Sequence, residues 1–388
     1  MGVPLRQQAR IGAYLMKQRL LGVERYPVVL MLEPLFRCNL ACPGCGKIDY
    51  SEDILDKRLS VQECLDAVDE CGAPVVSIPG GEPLIHKEMP QIVEGMIKRK
   101  KFVYLCTNGV LLEKNLPKYK PSPYLTFSIH LDGLREKHDA SVARDGVFDK
   151  VVEVIKKTLD LGFRVTVNCT LFQNESAEEV AEFMDFCRDL GVEGVTISPG
   201  YNYEHAPQQE IFLKRKTSKE LFRKVFKLGR GRGWAFNQSS LFLDFLAGNQ
   251  DYRCTPWGNP TRNVFGWQRP CYLLVDEGYA PSFKSLMEDT EWDNYGTGKN
   301  PKCADCMVHC GYEPSAINDT LKNPLKAARV ALFGPRTDGP MVDDPPMEYS
   351  QDYNVVKAEQ YVAAAETPAV DSEQVVEIRQ AGGQRPGN

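Results

Sequence analysis

Phe36-Arg37-Cys38-Asn39-Leu40-Ala41-Cys42-Pro43-Gly44-Cys45-Gly46-Lys47 sets three cysteines in a C-x3-C-x2-C spacing, close enough for three thiolates to converge on one inorganic centre. The chain holds 13 cysteines in 388 residues. Two more at set offsets from a given cysteine then arise by chance only about 0.015 times per chain. Iron-sulfur cubes are normally held by four thiolates, so three leave one iron open. A zinc knuckle or a disulfide staple accounts for the same residues, although each usually brings a second paired motif nearby. The apolar run Pro27-Val28-Val29-Leu30-Met31-Leu32 lies just upstream, which puts the triplet in a loop after a buried strand.

At 388 residues the chain can bury a full core and exceeds the usual single-domain length. Its net charge of -5 gives no general attraction to nucleic acid. Thirteen cysteines without a secretory signal point to a reducing compartment, where thiols serve metals or catalysis. No apolar run approaches the roughly 18 residues that span a bilayer. A cytoplasmic protein is expected, at most peripheral on the inner membrane face.

Four segments are expected. Residues 1–27 read as a basic amphipathic helix, with Arg6, Arg10, Lys17 and Arg19 beside a stripe of Ile11, Leu15 and Leu20. Such a helix either docks on an anionic membrane or packs across one end of the main domain. Residues 28–235 alternate short apolar strands with helical periods, the pattern of a parallel sheet with crossover helices. Strands are predicted at 28–33, 74–79, 102–106, 124–130, 163–169 and 193–198, with helices at 60–71, 88–99, 147–161 and 177–190. Six such units suit an α/β fold, an open (β/α)6 barrel. Residues 236–335 are rich in aromatics and carry Cys254, Cys271 and the group Cys303, Cys306 and Cys310. Those C-terminal cysteines fit a second cluster, zinc or free thiols, and the spacing does not choose. A short basic apolar helix is expected at 324–335. The tail, 336–388, is poor in large apolar residues and expected to be disordered.

Barrel chemistry gathers at the C-terminal ends of strands. The second strand ends in Gly80-Gly81-Glu82-Pro83, whose glycines would bring backbone close to a ligand with amides unpaired, while Glu82 accepts from a cation. A plain turn explains the same residues. On the third strand Cys106 and Asn108 share one face. Cys106 is then either a cavity-facing thiol or a small buried hydrophobe. On the fourth, Ser128, His130 and Asp132 fall on one side, which is costly unless they meet a ligand or each other.

The triplet and its setting resemble the signature of the radical S-adenosylmethionine (SAM) superfamily. The resemblance implies a [4Fe-4S] cluster on Cys38, Cys42 and Cys45, with the open iron chelated by the amino and carboxylate groups of SAM. An electron from a donor such as flavodoxin or ferredoxin would then split the sulfonium, giving methionine and a 5'-deoxyadenosyl radical. It also implies that Gly80, Gly81, Glu82 and Pro83 bind the methionine amino group and that Asn108, Ser128, His130 and Asp132 line the cofactor. Arg144 would reach the SAM carboxylate, Asn168 the ribose, and Ser198 the adenine. One position departs from the family: the residue before the third cysteine is usually aromatic, and here it is Gly44.

The order of segments is most similar to the hopanoid-biosynthesis branch of that superfamily. This implies a transferase in which the radical adds to the alkene of hopene (diploptene), a carbon-carbon bond forms, and SAM is consumed as co-substrate. The carbon radical left behind would be quenched by a hydrogen atom from Cys106, or from a C-terminal thiol such as Cys306. An apolar triterpene needs a wide apolar pocket, for which the aromatics of 236–300 are candidates. The alternative within the superfamily is a peptide- or protein-modifying enzyme with an auxiliary iron-sulfur cluster. A non-catalytic redox module is the reading outside it.

Overall fold

The computed structural model describes residues 2–201 and 203–346. Six parallel strands, β1 (Val29–Glu33), β2 (Val75–Ile78), β3 (Phe102–Thr107), β4 (Leu125–His130), β5 (Arg164–Leu171) and β6 (Val195–Pro199), lie in sequential order. Each matches a predicted strand to within about two residues. Helices Val61–Cys71, Met89–Lys98, Val147–Asp160 and Ala177–Leu190 return the chain between strands. Two of them start with capping boxes, Ser60 with Glu63 and Ser176 with Glu179, which satisfy orphan amides at the helix start. The same two end at Gly72 and Gly191 in left-handed conformation.

The alternation of side chains sorts the strands into two faces. Leu30, Leu32, Val76, Ile78, Val103, Leu105, Phe127 and Val165 are buried in one continuous core with the helices. Met31, Glu33, Ser77, Tyr104, Cys106, Ser128, His130 and Asn168 therefore face the barrel interior. This arrangement is the partial barrel expected, an α/β fold with a C-terminal extension.

The sheet does not stop at β1. A short strand β7 (Thr261–Asn263) pairs parallel to β1, followed by antiparallel β8 (Gly266–Gln268) and β9 (Tyr279–Ala280). The aromatic-rich region is thus partly an extension of the barrel sheet. Strands this short, two of them containing or flanked by glycine, leave no period that can be read from sequence. Helices Arg215–Leu228, Ser240–Leu246 and His309–Lys322 complete the extension, and the expected last helix is Pro324–Phe333.

The N-terminal helix, Leu5–Leu20, lies across the N-terminal end of the strands. Gln7 donates to Tyr104 at 2.9 Å and accepts from Arg164, while Arg6 donates to Tyr124 at 2.9 Å and stacks over its ring. Of the two readings of this helix, packing against the main domain is what the contacts show.

The tail expected to be disordered from residue 336 begins differently. Asp344 pairs with Arg215 at 2.6 Å and Lys219 at 2.5 Å, and Arg223 donates to the carbonyl of Gly339. Residues 336–346 are thus fastened to helix Arg215–Leu228 by charges that composition does not reveal. The rest of that expectation, 347–388, lies outside the described residues. Arg215 and Lys219 side chains are only 5% exposed, and Asp344 answers both charges. Asp344→Ala is therefore expected to cost about 2 kcal/mol, below the figure for a fully buried pair because Asp344 is itself 39% exposed. Chemical denaturation of the variant measures it, and an unchanged midpoint would show that the clasp contributes nothing.

Candidate active site

The cysteine triplet occupies the loop after β1, and the glycines after β2 hold it in place. Gly81 N–H donates to the carbonyl of Leu35 and Glu82 N–H to that of Arg37, both at 3.0 Å. A Cβ on Gly81 would lie 2.2 Å from the Phe36 carbonyl oxygen, and one on Gly80 2.7 Å from that of Leu35. Gly80 also takes φ +71°, which favours glycine. The sequence reading left these amides free for a ligand, whereas in the structure Gly81 and Glu82 spend theirs on the cluster loop.

Glu82 is likewise an internal anchor. Fully buried, it accepts from Leu84 N–H and Thr107 hydroxyl on one oxygen and from Asn108 N–H on the other, each at 2.9 Å. Burial pushes its carboxyl up to about 7, against the pull of these donors. Pro83 opens a short 3-10 turn behind it. Asn108 donates to Asn39 at 2.8 Å and sits 3.8 Å from the Cys38 sulfur, so strand β3 steadies the triplet as well.

The three thiols behave as one group. Burial raises Cys38 to about 11 and raises Cys42 and Cys45, and the charges of Cys38 and Cys45 add to the rise at Cys42. Amides of Leu40 and Lys47 point at Cys38 and Cys45 and act the other way. Thiols crowded together and unwilling to ionise alone are what a cationic iron centre relieves, since metal binding supplies the missing positive charge. The residues fit a cluster on Cys38, Cys42 and Cys45.

Two groups here were not legible from motif spacing. Lys47 reaches back to Glu33 at the end of β1, 2.7 Å away, with the rings of Phe36, Tyr203 and Tyr272 at 5.7, 5.0 and 5.6 Å from its nitrogen. The pair is almost wholly buried and locks the end of the cluster loop to the strand before it. A carboxylate ending an otherwise apolar strand was the available signal. The second is Phe172, just after β5. A Cβ on Gly44 would lie 3.0 Å from its ring and one on Gly200 2.8 Å, so the ring sits between two glycines beside the third cysteine. An aromatic ring from just beyond β5 thus packs beside Gly44.

On β4 and just beyond its end the three polar residues separate into two jobs. Asp132 accepts from His130 Nε2 at 2.9 Å and from Thr170 N–H at 2.8 Å, and its own N–H donates to His138. Burial alone would lower His130, but the Asp132 carboxylate outweighs it and raises the imidazole; the same pair, with Thr170, holds Asp132 below the usual range. Asp132 is thus turned to its neighbours and positions His130. Ser128 lies beside Cys106 in register, and Ser77 oxygen is 3.3 Å from the Cys106 sulfur. Burial raises the Cys106 thiol, so it remains S–H at neutral pH.

Other expected contacts are placed less centrally. Asn168 pairs in register with His130 on β5, which puts it on the interior face. Ser198 bonds His309 Nδ1 at 3.0 Å and so ties β6 to the C-terminal region. Arg144 is exposed on the turn between helices Arg135–Ser141 and Val147–Asp160, and among the described residues no carboxylate pairs with it.

Comparison with known proteins agrees with this geometry. Residues 32–187 match the radical SAM superfamily, and residues 195–330 match a domain of unknown function, DUF3463. GTP 3',8-cyclase of Clostridium perfringens is 27% identical over 196 residues, covering 48% of this chain and 61% of that protein. The enzyme of the same name from Aquifex aeolicus is 29% identical, covering 42% and 54%. The chain thus spans a little over half the length of these relatives. Among solved structures, SuiB of Streptococcus suis bound to SAM superposes with a TM-score of 0.61 at 17% identity, covering 77% of this chain and 75% of that one. The anSMEcpe structure with bound AdoMet gives 0.55 at 16%, covering 79% and 95%. At these identities the likeness is one of fold. Residues 32–187 of the barrel are thus similar to a radical SAM domain, in sequence pattern as well as in fold. The chain's cofactors are a [4Fe-4S] cluster and SAM.

If Phe172 walls the cofactor site, Phe172→Ala should weaken SAM binding about tenfold, the worth of one well-placed aromatic contact. Equilibrium binding to the reconstituted protein measures it, with the iron content of the cluster unchanged. Equal affinity would leave Phe172 a packing residue.

Proposed function

We propose that this chain transfers the 5'-deoxyadenosyl group of SAM to the alkene of hopene, forming a carbon-carbon bond and releasing methionine. The observation that carries the reading is Cys106: a protonated thiol on the interior face of a SAM barrel, flanked by Ser77 and Ser128. When bound, the cluster and SAM supply a primary carbon radical after one-electron reduction of the sulfonium. Addition to a terminal alkene leaves a tertiary carbon radical on the triterpene, which needs one hydrogen atom.

Cys106 supplies that atom by homolysis of its S–H bond, which is weaker than the tertiary C–H bond it makes. An electron and a proton from the donor system then restore the thiol. Overall, cationic SAM, hopene, two electrons and one proton give adenosylhopane and methionine. The raised thiol suits this step because only the neutral S–H can deliver a hydrogen atom. Ser77 and Ser128 hold the sulfur in place.

Anaerobic incubation of reconstituted protein with SAM, reductant and hopene should give an adenosine-hopane adduct by mass spectrometry. Release of 5'-deoxyadenosine without adduct would overturn the assignment and favour peptide modification, the alternative reading, or a nucleotide substrate of the kind named in the GTP cyclase relatives. Cys106→Ala should lower saturated product at least tenfold and yield shunt products of the unquenched radical. A normal rate with the same stereochemistry would remove Cys106 from the step.

An apolar substrate resident in a bilayer also gives a role to the exposed apolar residues at two helix ends. Leu20 and Leu21 are 82% and 64% exposed, and Leu325, Leu332 and Phe333 are 86%, 77% and 75% exposed. No helix among the described residues is long and apolar enough to cross a membrane, so contact would be peripheral. Leu20→Ser with Leu332→Ser and Phe333→Ser should at least halve the fraction floating with phosphatidylglycerol vesicles. Unchanged flotation would remove both helices from membrane docking.

A further inference from the structure

We propose that the C-terminal region holds a second [4Fe-4S] cluster, on Cys271, Cys303, Cys306 and Cys310. Sequence spacing alone did not choose between a cluster, zinc and free thiols, and the fold now brings these residues together. Cys271 comes from the loop after β8, Cys303 from the turn Pro301–Cys303, and Cys310 from the first turn of helix His309–Lys322. With Cys306, Cys254 and Tyr201 they line one small cavity. All five cysteines are free thiols.

The local geometry echoes the radical SAM triplet. Cys303, Cys306 and Cys310 follow C-x2-C-x3-C, the reverse of the C-x3-C-x2-C at Cys38, Cys42 and Cys45. The Cys306 amide donates to the Cys303 carbonyl at 3.0 Å, as the Cys45 amide does to that of Cys42 at 3.1 Å. The same backbone bond thus closes a tight turn between two cysteines in both motifs.

Backbone amides point at each of the four sulfurs. Cys271 receives those of Leu273 and Leu274, Cys303 that of Gly296, Cys306 that of Val308, and Cys310 that of Gly311. Amide hydrogen bonds to ligating sulfur stabilise cluster thiolates and set their potential.

Cys254 is the fifth thiol rather than a ligand. Its sulfur lies where a Cβ on Gly311 would come within 2.5 Å, and the Thr255 amide bonds the Gly311 carbonyl at 2.7 Å, so it is packed against the helix backbone. A single zinc ion, about 2.3 Å from each sulfur, requires a tighter set than a four-iron cube. The second site joins the barrel through Ser198 with His309 and through Tyr201, whose hydroxyl donates to the Lys302 carbonyl.

The test counts metal in the full chain after anaerobic reconstitution. Wild type should carry about eight iron and eight sulfide per chain, and the variant with Cys38, Cys42 and Cys45 all changed to Ala about four of each. The remaining cluster, reduced with dithionite, should give an electron paramagnetic resonance signal indifferent to SAM. In that triple-variant background Cys271→Ala should strip the iron and Cys254→Ala should retain it. Cys306→Ser in the otherwise wild-type chain should keep four iron and a SAM-sensitive signal, which separates loss of the site from loss of the fold. A triple variant with less than about one iron per chain, or with one zinc in its place, overturns the proposal. So does loss of iron on Cys254→Ala but not on Cys271→Ala.

Discussion

Two amide-to-carbonyl bonds, from Gly81 to Leu35 and from Glu82 to Arg37, fasten the cysteine loop to the end of β2. They form only because neither Gly80 nor Gly81 carries a Cβ, which would strike the loop's own carbonyls. The rest of the site depends on this contact. Glu82, drawn into the core behind it, gathers Leu84, Thr107 and Asn108, and Asn108 passes the constraint on to Asn39 beside Cys38. A loop with three thiolates that must meet one cluster cannot be left to fluctuate, because a misplacement of about 1 Å is costly in a reactive site. Here three successive strand ends hold it.

Buried charge is handled by the same economy. The ion pair of Lys47 with Glu33 is enclosed by aromatic rings, and the pair of His130 with Asp132 is completed by Thr170 and His138. A buried charge left unpaired would be strongly destabilising. Each pair instead fixes a residue that borders the reaction space. The polar row of Ser77, Cys106 and Ser128 crosses three strands on the same interior face. That row puts a protonated thiol within an otherwise hydrogen-bonded wall.

The C-terminal region is part of the barrel's closure. Strand β7 extends the sheet beyond β1, while Ser198 and Tyr201 tie the end of β6 to the segment bearing Cys303, Cys306 and Cys310. Both edges of the six-stranded core are thereby in contact with the extension. Residues 336–346 fold back onto the helix Arg215–Leu228 through Asp344.

Local pattern in the sequence determined the six strands, their crossover helices and the cysteine triplet, because alternation, helical period and close spacing are properties of neighbours along the chain. Which glycine amides stay free, which carboxylate turns inward and which aromatic stands beside the third cysteine were decided by tertiary structure. Phe172 reaches Gly44 across about 130 residues of chain, and no short-range signal encodes that approach. Glu82 and Asp132 were legible as polar residues at strand ends, yet their partners are backbone amides supplied by neighbouring strands. The convergence of Cys271 with Cys303, Cys306 and Cys310 likewise waited on the fold, since the loop after β8 and the start of helix His309–Lys322 meet only once the sheet is extended past β1.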